Sequence, residues 1–260
     1  MYVSHIPGQA WAQTVSTSVA VRAAGLEPVP HVPVRELTDE VTLRSLLEQL
    51  VAQARVTRLL LIAGDRAEPR GPFAETLDVL GSGLFAQAGI RQVTVAGHPE
   101  GHPRIAAAEL RRAEHAKLAW AATAAAELTF LSQFSFDAAP FLGWMRALRA
   151  QGVRARIVAG LAGPAHLSTL FKYALRCGVG PSLRALGARP ASLAGLVGER
   201  GPESVVRAIA RIAGVAAMEP VGIHLYSFGG LTRSCAWIDA VARGRFALDD
   251  SGGFNVDARY

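Results

Sequence analysis

Residues 91–103 read RQVTVAGHPEGHP. From Arg91 to Gly97 apolar and polar residues alternate and β-branched types dominate, the pattern of a short half-buried strand. His98, Glu100 and His102 follow at once, so a polar cluster stands at a strand's C-terminal end. In α/β sheets that edge carries ligands and chemistry, because the strand ends are fixed while the loops after them vary.

The same arrangement recurs in both directions. Strands are expected near Tyr2–His5, Pro28–Val32, Arg58–Ile62, Gln92–Ala96, Leu128–Gln133, Arg156–Ala159 and Gly222–Tyr226. Helices are expected over Gln9–Ala24, Asp39–Ala54, Phe73–Ala88, Arg104–Ala125, Ala139–Gln151, Ala165–Cys177, Pro202–Ala217 and Leu231–Arg243. Thr38 and Asp39 mark one helix start, and Gly25, Gly89 and Gly152 mark helix ends. Residues 180–203, GPSLRALGARPASLAGLVGERGPE, read as a long loop or short-helix excursion.

Strand and helix in alternation imply parallel strands with right-handed crossovers, closed as a barrel or open as a doubly wound sheet. No GxGxxG follows a strand, and LLLIAGD at 59–65 leads to no GK[ST], so the open nucleotide-binding folds lose support. A (β/α)8 TIM-type barrel remains, and 260 residues suit one such domain spanning 1–260.

Composition excludes several classes. The net charge of +6 comes from scattered arginines without a basic stripe interleaved with aromatics, which argues against nucleic acid as a partner. Cys177 and Cys235 lie far apart with no CxxC, and no signal-peptide pattern opens the sequence; a reducing, cytoplasmic setting is expected. The most apolar run, KLAWAATAAAELTFLSQF, is interrupted by Glu127, so no membrane partner is expected. A homo-oligomer is left open.

Polar residues at the expected strand ends are His5, His31, Asp65, His98, Glu100, Gln133, Asp137 and Tyr226, with His224 just inside. In a barrel they converge on one rim. Taken singly, each reads more readily as a packed or capping residue. No H-x-H or H-E-x-x-H occurs, and HPEGH spaces its histidines across a proline turn, so no metal is expected. No G-x-S-x-G is present, and neither cysteine has a cue for activation. Trp11, Trp120, Trp144 and Trp237 fall in helical patterns and read as packing.

Read in order, VSHIPG, LEPVPHVPV, LLLIAGD, VAGHPEGHP, LSQFSFDAAPFLGWMRALRAQGV and GIHLYSF resemble the methylenetetrahydrofolate reductase family. The resemblance spans nearly the whole chain, and its specificity lies in the ordered set. It implies an FAD-dependent enzyme on a (β/α)8 barrel that passes hydride from NAD(P)H to methylenetetrahydrofolate, a folate substrate.

By that resemblance His31 lies against the flavin, and Gly64 with Asp65 ends the family's RGD stretch. His98 stands where many members have a tyrosine, His102 matches a cofactor-contacting histidine, Lys117 a lysine near the phosphates, and Tyr226 a cofactor-side tyrosine. Gln133 matches a substrate-contacting glutamine, and Phe228 is assigned to substrate as well. Asp65 and Gln133 are the catalytic assignments. The glycines at 64 and 97 are expected to let backbone approach the cofactor.

Two departures stand out. Ala63 replaces the RGD arginine, with Arg66 and Arg70 nearby. The chain's first strand corresponds to the family's second, so the fold is expected to lack the first barrel strand and its acidic residue; either an upstream segment or loss of the strand accounts for this. Neither Glu27 nor Glu36 lies in an equivalent context. The alternatives are a family member that binds flavin or folate without ordinary reductase activity, or another barrel enzyme using rim histidines as acid and base.

Overall fold

Short runs of Val, Leu and Ile form parallel strands, and the amphipathic stretches between them form helices, in the computed structural model of the chain. It describes residues 1–177, 199–213 and 221–257. Two compact units result: Met1–Ala96 with Ala108–Phe130, and Gly97–Ala107 with Leu131–Tyr260.

The first unit contains β1 (Tyr2–Val3), α1 (Trp11–Ala23), β2 (Val29–Pro33), a 3-10 turn (Val34–Glu36), α2 (Glu40–Ala54), β3 (Arg58–Ile62), α3 (Thr76–Gly81) and α4 (Leu84–Gln87). It also holds most of β4 (Gln92–Gly97) and α5 (Ala107–Thr123), and the first part of β5 (Glu127–Ser135). Its strands follow the order β1-β2-β3-β4-β5, and they run parallel, with His31 beside Leu60 and Leu60 beside Thr94.

Helix α2 shows how the sequence dictates the layer. Asp39 caps it by accepting from the Thr42 amide at 2.7 Å. Leu43, Leu46, Leu47, Leu50 and Ala54 recur at helical spacing and are all buried. It ends where Arg55 turns left-handed, and the Arg22 side chain of α1 donates to the carbonyls of Ala54 and Arg55, both at 3.0 Å.

The second unit completes β5 and adds α6 (Ala138–Ala150), β6 (Arg156–Ala162), β7 (Ala165–His166), α7 (Leu167–Cys177), β8 (Glu199–Arg200) and α8 (Glu203–Ala213). There follow β9 (Val221–Tyr226), α9 (Leu231–Ala242), β10 (Phe246–Leu248) and β11 (Phe254–Val256). Its strand order is β5-β6-β9, with β6 and β9 parallel from Ile157–Val221 to Ala162–Tyr226. Strand β6 is buried along all but its first residue, as a strand covered on both faces must be. Two small antiparallel ladders, β7–β8 and β10–β11, stand apart from the parallel strands.

The expected strands are all present with altered bounds: β1 stops at Val3, short of the expected His5, while β5 and β6 run longer than their patterns suggest. One expected helix is not continuous: Phe73–Ala88 divides into α3 and α4. The capping box of Glu75 and Asp78 delays its start to Thr76, and Gly83, at φ +72°, breaks it. The expected excursion at 180–203 falls mainly on residues 178–198, which lie outside the described residues, as do residues 214–217 of the expected helix Pro202–Ala217. No helix among the described residues is long and apolar enough to cross a membrane.

Gly143 offers a direct test of the helix description. It lies within α6, exposed, and a Cβ there would meet no atom within 4 Å. Gly143→Ala is therefore expected to raise stability by about 0.5–1 kcal/mol. Chemical denaturation reads this directly, and a loss of stability would contradict the open space around the position.

Candidate functional site

Polar residues gather at the C-terminal ends of the parallel strands in each unit. In the first unit, His5 follows β1. Its ring stacks on Trp11 with centroids 4.0 Å apart, and Nδ1 meets the Thr14 hydroxyl at 2.9 Å. His31 lies within β2, edge-on to Tyr2 at 5.8 Å.

After β3 the chain runs through Gly64 and Asp65 into a long loop that Arg35 holds. The Arg35 amide donates to Ala63 O and its carbonyl accepts from the Arg70 amide; its guanidinium donates to Arg66 O and Ala74 O, both at 2.8 Å. Gly71 passes so close to this frame that a Cβ would lie 2.1 Å from the Thr38 carbonyl oxygen. Asp65 is exposed on this loop and makes no hydrogen bond or ion pair among the described residues.

Glu36 carries no role in the sequence reading, yet it is one of the few buried acids, only 5 % exposed. Arg66 and Arg70 each bring a guanidinium nitrogen to 3.8 Å from its carboxylate. The charge also reaches His5, where it opposes the downward pull of burial on the imidazole pKa. Glu36 stands between buried Val34 and Leu37 with Arg35 beside it, a pattern that does not mark it as buried, and a buried acid needs cations nearby.

Lys117, assigned to cofactor phosphates, lies along α5 and is 8 % exposed, as is Glu114 three residues before it. Burial draws its ammonium pKa below the usual range, against the opposing pull of Glu114 and Glu75. It is thus a buried helix lysine facing carboxylates.

In the second unit, HPEGHP forms a tight turn: the Gly101 amide donates to His98 O, and the His98 and His102 rings meet edge-on at 5.5 Å. The Arg104 amide donates to His102 Nδ1 at 3.2 Å, which leaves Nε2 as the protonated nitrogen of the neutral ring. Burial, and then Arg104, lowers the His102 pKa and favours that neutral form. The Ser135 hydroxyl lies 3.1 Å from Glu100 Oε1.

The glycines at 64 and 97 have packing reasons of their own. A Cβ on Gly97 would lie 2.5 Å from Trp144 Cη2, and one on Gly64 would lie 2.9 Å from Pro33 Cβ.

Strands β5, β6 and β9 build the rest. Ser132 Oγ donates to Gln133 O and accepts from the Gly160 amide at 2.8 Å, while Tyr226 Oη donates to Ser132 O at 3.1 Å. Gln133 Oε1 is buried and has no hydrogen-bond partner among the described residues. Phe228 stacks on Tyr173 with centroids 4.3 Å apart, and Phe134 and Tyr226 contact it at 4.8 and 5.8 Å. This arrangement supplies an aromatic surface, an acceptor unmet among the described residues and a neutral imidazole donor at His102. Among the described residues no group of three or more His, Cys, Asp or Glu side chains is placed to hold a metal ion.

No protein-family model matches this chain.

His224 stands edge-on to Tyr226 at 4.6 Å, and burial pushes its pKa down to about 4 from an ordinary 6.5. Below pH 6.5 the unfolded chain binds a proton there that the folded chain refuses. The stability tied to the neutral ring is therefore complete above that pH and is lost progressively as pH falls toward 4. We expect the chain to lose about 1–2 kcal/mol from this group between about pH 7 and about pH 4.5. Urea unfolding of the chain and of His224→Gln at both pH values isolates the effect, and equal pH dependence in the two would contradict it.

Proposed function

We propose that the chain is a flavin-dependent oxidoreductase of the methylenetetrahydrofolate reductase type, built on a (β/α)8 barrel whose second to eighth strands this chain supplies. The observation that carries the reading is Gln133 Oε1, a buried acceptor without a donor among the described residues, on the strand where the resemblance requires a substrate-contacting glutamine. The polar ends of the other strands agree with it. His98 and His102 follow β4, Tyr226 ends β9 and Phe228 follows it; Gly64 and Asp65 follow β3.

FAD fits the donor set in part. Within the second unit His102 offers an Nε2–H, His98 a further imidazole and Tyr226 an aromatic ring; within the first, His31 offers an imidazole, and Lys117 would serve the phosphates only by leaving its buried position. When bound, the flavin would accept hydride from NAD(P)H and deliver it to a folate-bound one-carbon unit. The protein's part is binding and orientation. In the second unit Gln133 would accept a hydrogen bond from the folate and Phe228 with Tyr173 would stack against an aromatic ring of it; in the first, Asp65 is the carboxylate that the resemblance assigns to catalysis.

Titration of the purified chain with FAD, followed by visible absorption and flavin fluorescence, tests the reading. Saturable binding and NAD(P)H oxidation that depends on methylenetetrahydrofolate are expected; a chain that stays colourless at saturating FAD would overturn it. His102→Ala should weaken FAD binding about 5- to 150-fold, the equivalent of about 1–3 kcal/mol, and change apo stability far less. FAD affinity unchanged in this variant would remove His102 from the cofactor site.

A second reading, binding without ordinary reduction, is favoured by Ala63. With the family's arginine absent, the cations of this loop are Arg66 and Arg70, and both face Glu36. FAD binding without methylenetetrahydrofolate-dependent turnover would select it.

A further inference from the structure

The C-terminal hairpin carries an edge whose chemistry matches itself. Strand β10 pairs with β11 on one side, in the register Phe246–Val256, Ala247–Asn255 and Leu248–Phe254. The Asp257 amide donates to Arg245 O and the Asp249 amide to Gly253 O. In an antiparallel ladder these bonded pairs alternate, so Arg245, Ala247 and Asp249 turn their backbone groups toward β11. Phe246 and Leu248 therefore turn their N–H and C=O groups the other way, and no described strand meets that side.

The side chains make the edge adhesive. All residues of β10 are exposed, Phe246 at 40 % and Leu248 at 64 %. Both share the face on which Phe254 packs against Trp237, so this apolar face runs outward to the edge and stops in solvent. Natural edges are usually protected by proline, a bulge or an inward-pointing charge. Phe246-Ala247-Leu248 has no proline and no charge.

We infer that this edge pairs antiparallel with β10 of a second copy, about a two-fold axis at Ala247. The charge pattern selects this occupant. The stretch RGRFALDD places Arg243 and Arg245 before the strand and Asp249 and Asp250 after it. Antiparallel pairing centred on Ala247 sets Phe246 opposite the second copy's Leu248, and Arg245 opposite its Asp249. The same register makes Phe246 and Leu248 the bonded pairs, as the free backbone groups require. Arg245 opposite Asp249 is then a non-bonded pair, in which facing side chains approach most closely.

Arg245 already touches Asp239 at 2.6 Å, and Asp249 accepts from the Gly253 amide, so both ends arrive ordered. The joined ladder has an apolar face of Phe246 and Leu248 from both copies and a charged face of Arg245 and Asp249. An interface this narrow belongs to the weak, reversible class.

Sedimentation of the full chain over about 1–200 µM tests the inference, since small transient interfaces assemble in such a range. A monomer–dimer equilibrium is expected. Leu248→Pro removes the outward amide from both copies and leaves the bonds to β11, so it should weaken the dimer about thirtyfold. An independent variant reads the register. In a Cys177→Ser, Cys235→Ser background, Ala247→Cys places two thiols directly across the axis, where oxidation should form a disulfide-linked dimer far faster than with Asn255→Cys. A chain that stays monomeric throughout, a dimer that Leu248→Pro leaves equally tight, or an Ala247→Cys variant that forms no cross-link would each overturn it. If Leu248→Pro fails to fold, the cross-link alone decides.

Discussion

Gly160→Val is expected to cost the second unit about 3 kcal/mol or more and to disturb the end of β5 together with it. A Cβ at residue 160 would lie 2.2 Å from the Ser132 carbonyl oxygen and 2.7 Å from Tyr226 Cε2. The first contact is to backbone held in a strand, which has no rotamer to escape into, so β5 and β6 must separate or shift. The same movement breaks what Ser132 organises, since its carbonyl takes the Tyr226 hydroxyl and its Oγ takes the Gly160 amide. Two measurements follow: a lower denaturation midpoint, and near-ultraviolet circular dichroism altered by a displaced Tyr226. A variant with the original stability would mean that the two strands do not approach here as described.

Phe130→Ala should have the largest effect of any single truncation, about 3–5 kcal/mol. Phe130 is among the largest side chains with no exposed surface, lying in β5 where the first unit's part of that strand ends. Removing its ring forfeits the transfer energy of the buried surface and leaves a hole that strands cannot collapse to fill. Thermal and urea unfolding measure the loss. Phe246→Ala is the comparison within the same chain: 40 % exposed, it should change monomer stability by much less. Similar losses for the two would deny the difference in burial on which the assignment of the core rests.

The parallel α/β order is legible because each strand is a short apolar run closed by turn residues, and pattern alone finds such segments. What the pattern misses depends on partners far along the chain. Phe73–Ala88 looks like one helix because its apolar residues keep a helical period across Gly81-Ser82-Gly83; the backbone conformation of Gly83 overrides the period. Strands β10 and β11 have three residues each, too short to show alternation, and exist through their mutual pairing.

The candidate site divides the same way. The positions of His98, Gln133 and Tyr226 are readable, since each stands in or directly after a strand, and His102 lies in the loop that follows β4. Glu36 escapes notice because its burial is set by Arg66 and Arg70, some thirty residues later. The glycines at 64 and 97 read as places of close backbone approach, and Pro33 and Trp144 are the groups that stand where a Cβ would be. Lys117 is placed by its position in a motif order, and nothing in the residues around it foretells a buried ammonium.

The anchoring of the loop after β3 by Arg35 bears on how fast anything can bind there. Ordering a free loop costs about 1–2 kcal/mol of conformational entropy per residue, and a ligand that must impose this order binds slowly and weakly. Here the guanidinium of Arg35 joins Arg66 to Ala74, and its backbone bonds join Ala63 to Arg70, so folding itself has set the shape. The exposed carboxylate of Asp65 is carried on a frame already fixed before any encounter. A ligand that binds at this loop would then associate at a rate governed by diffusion and charge rather than by a slow search among loop conformations.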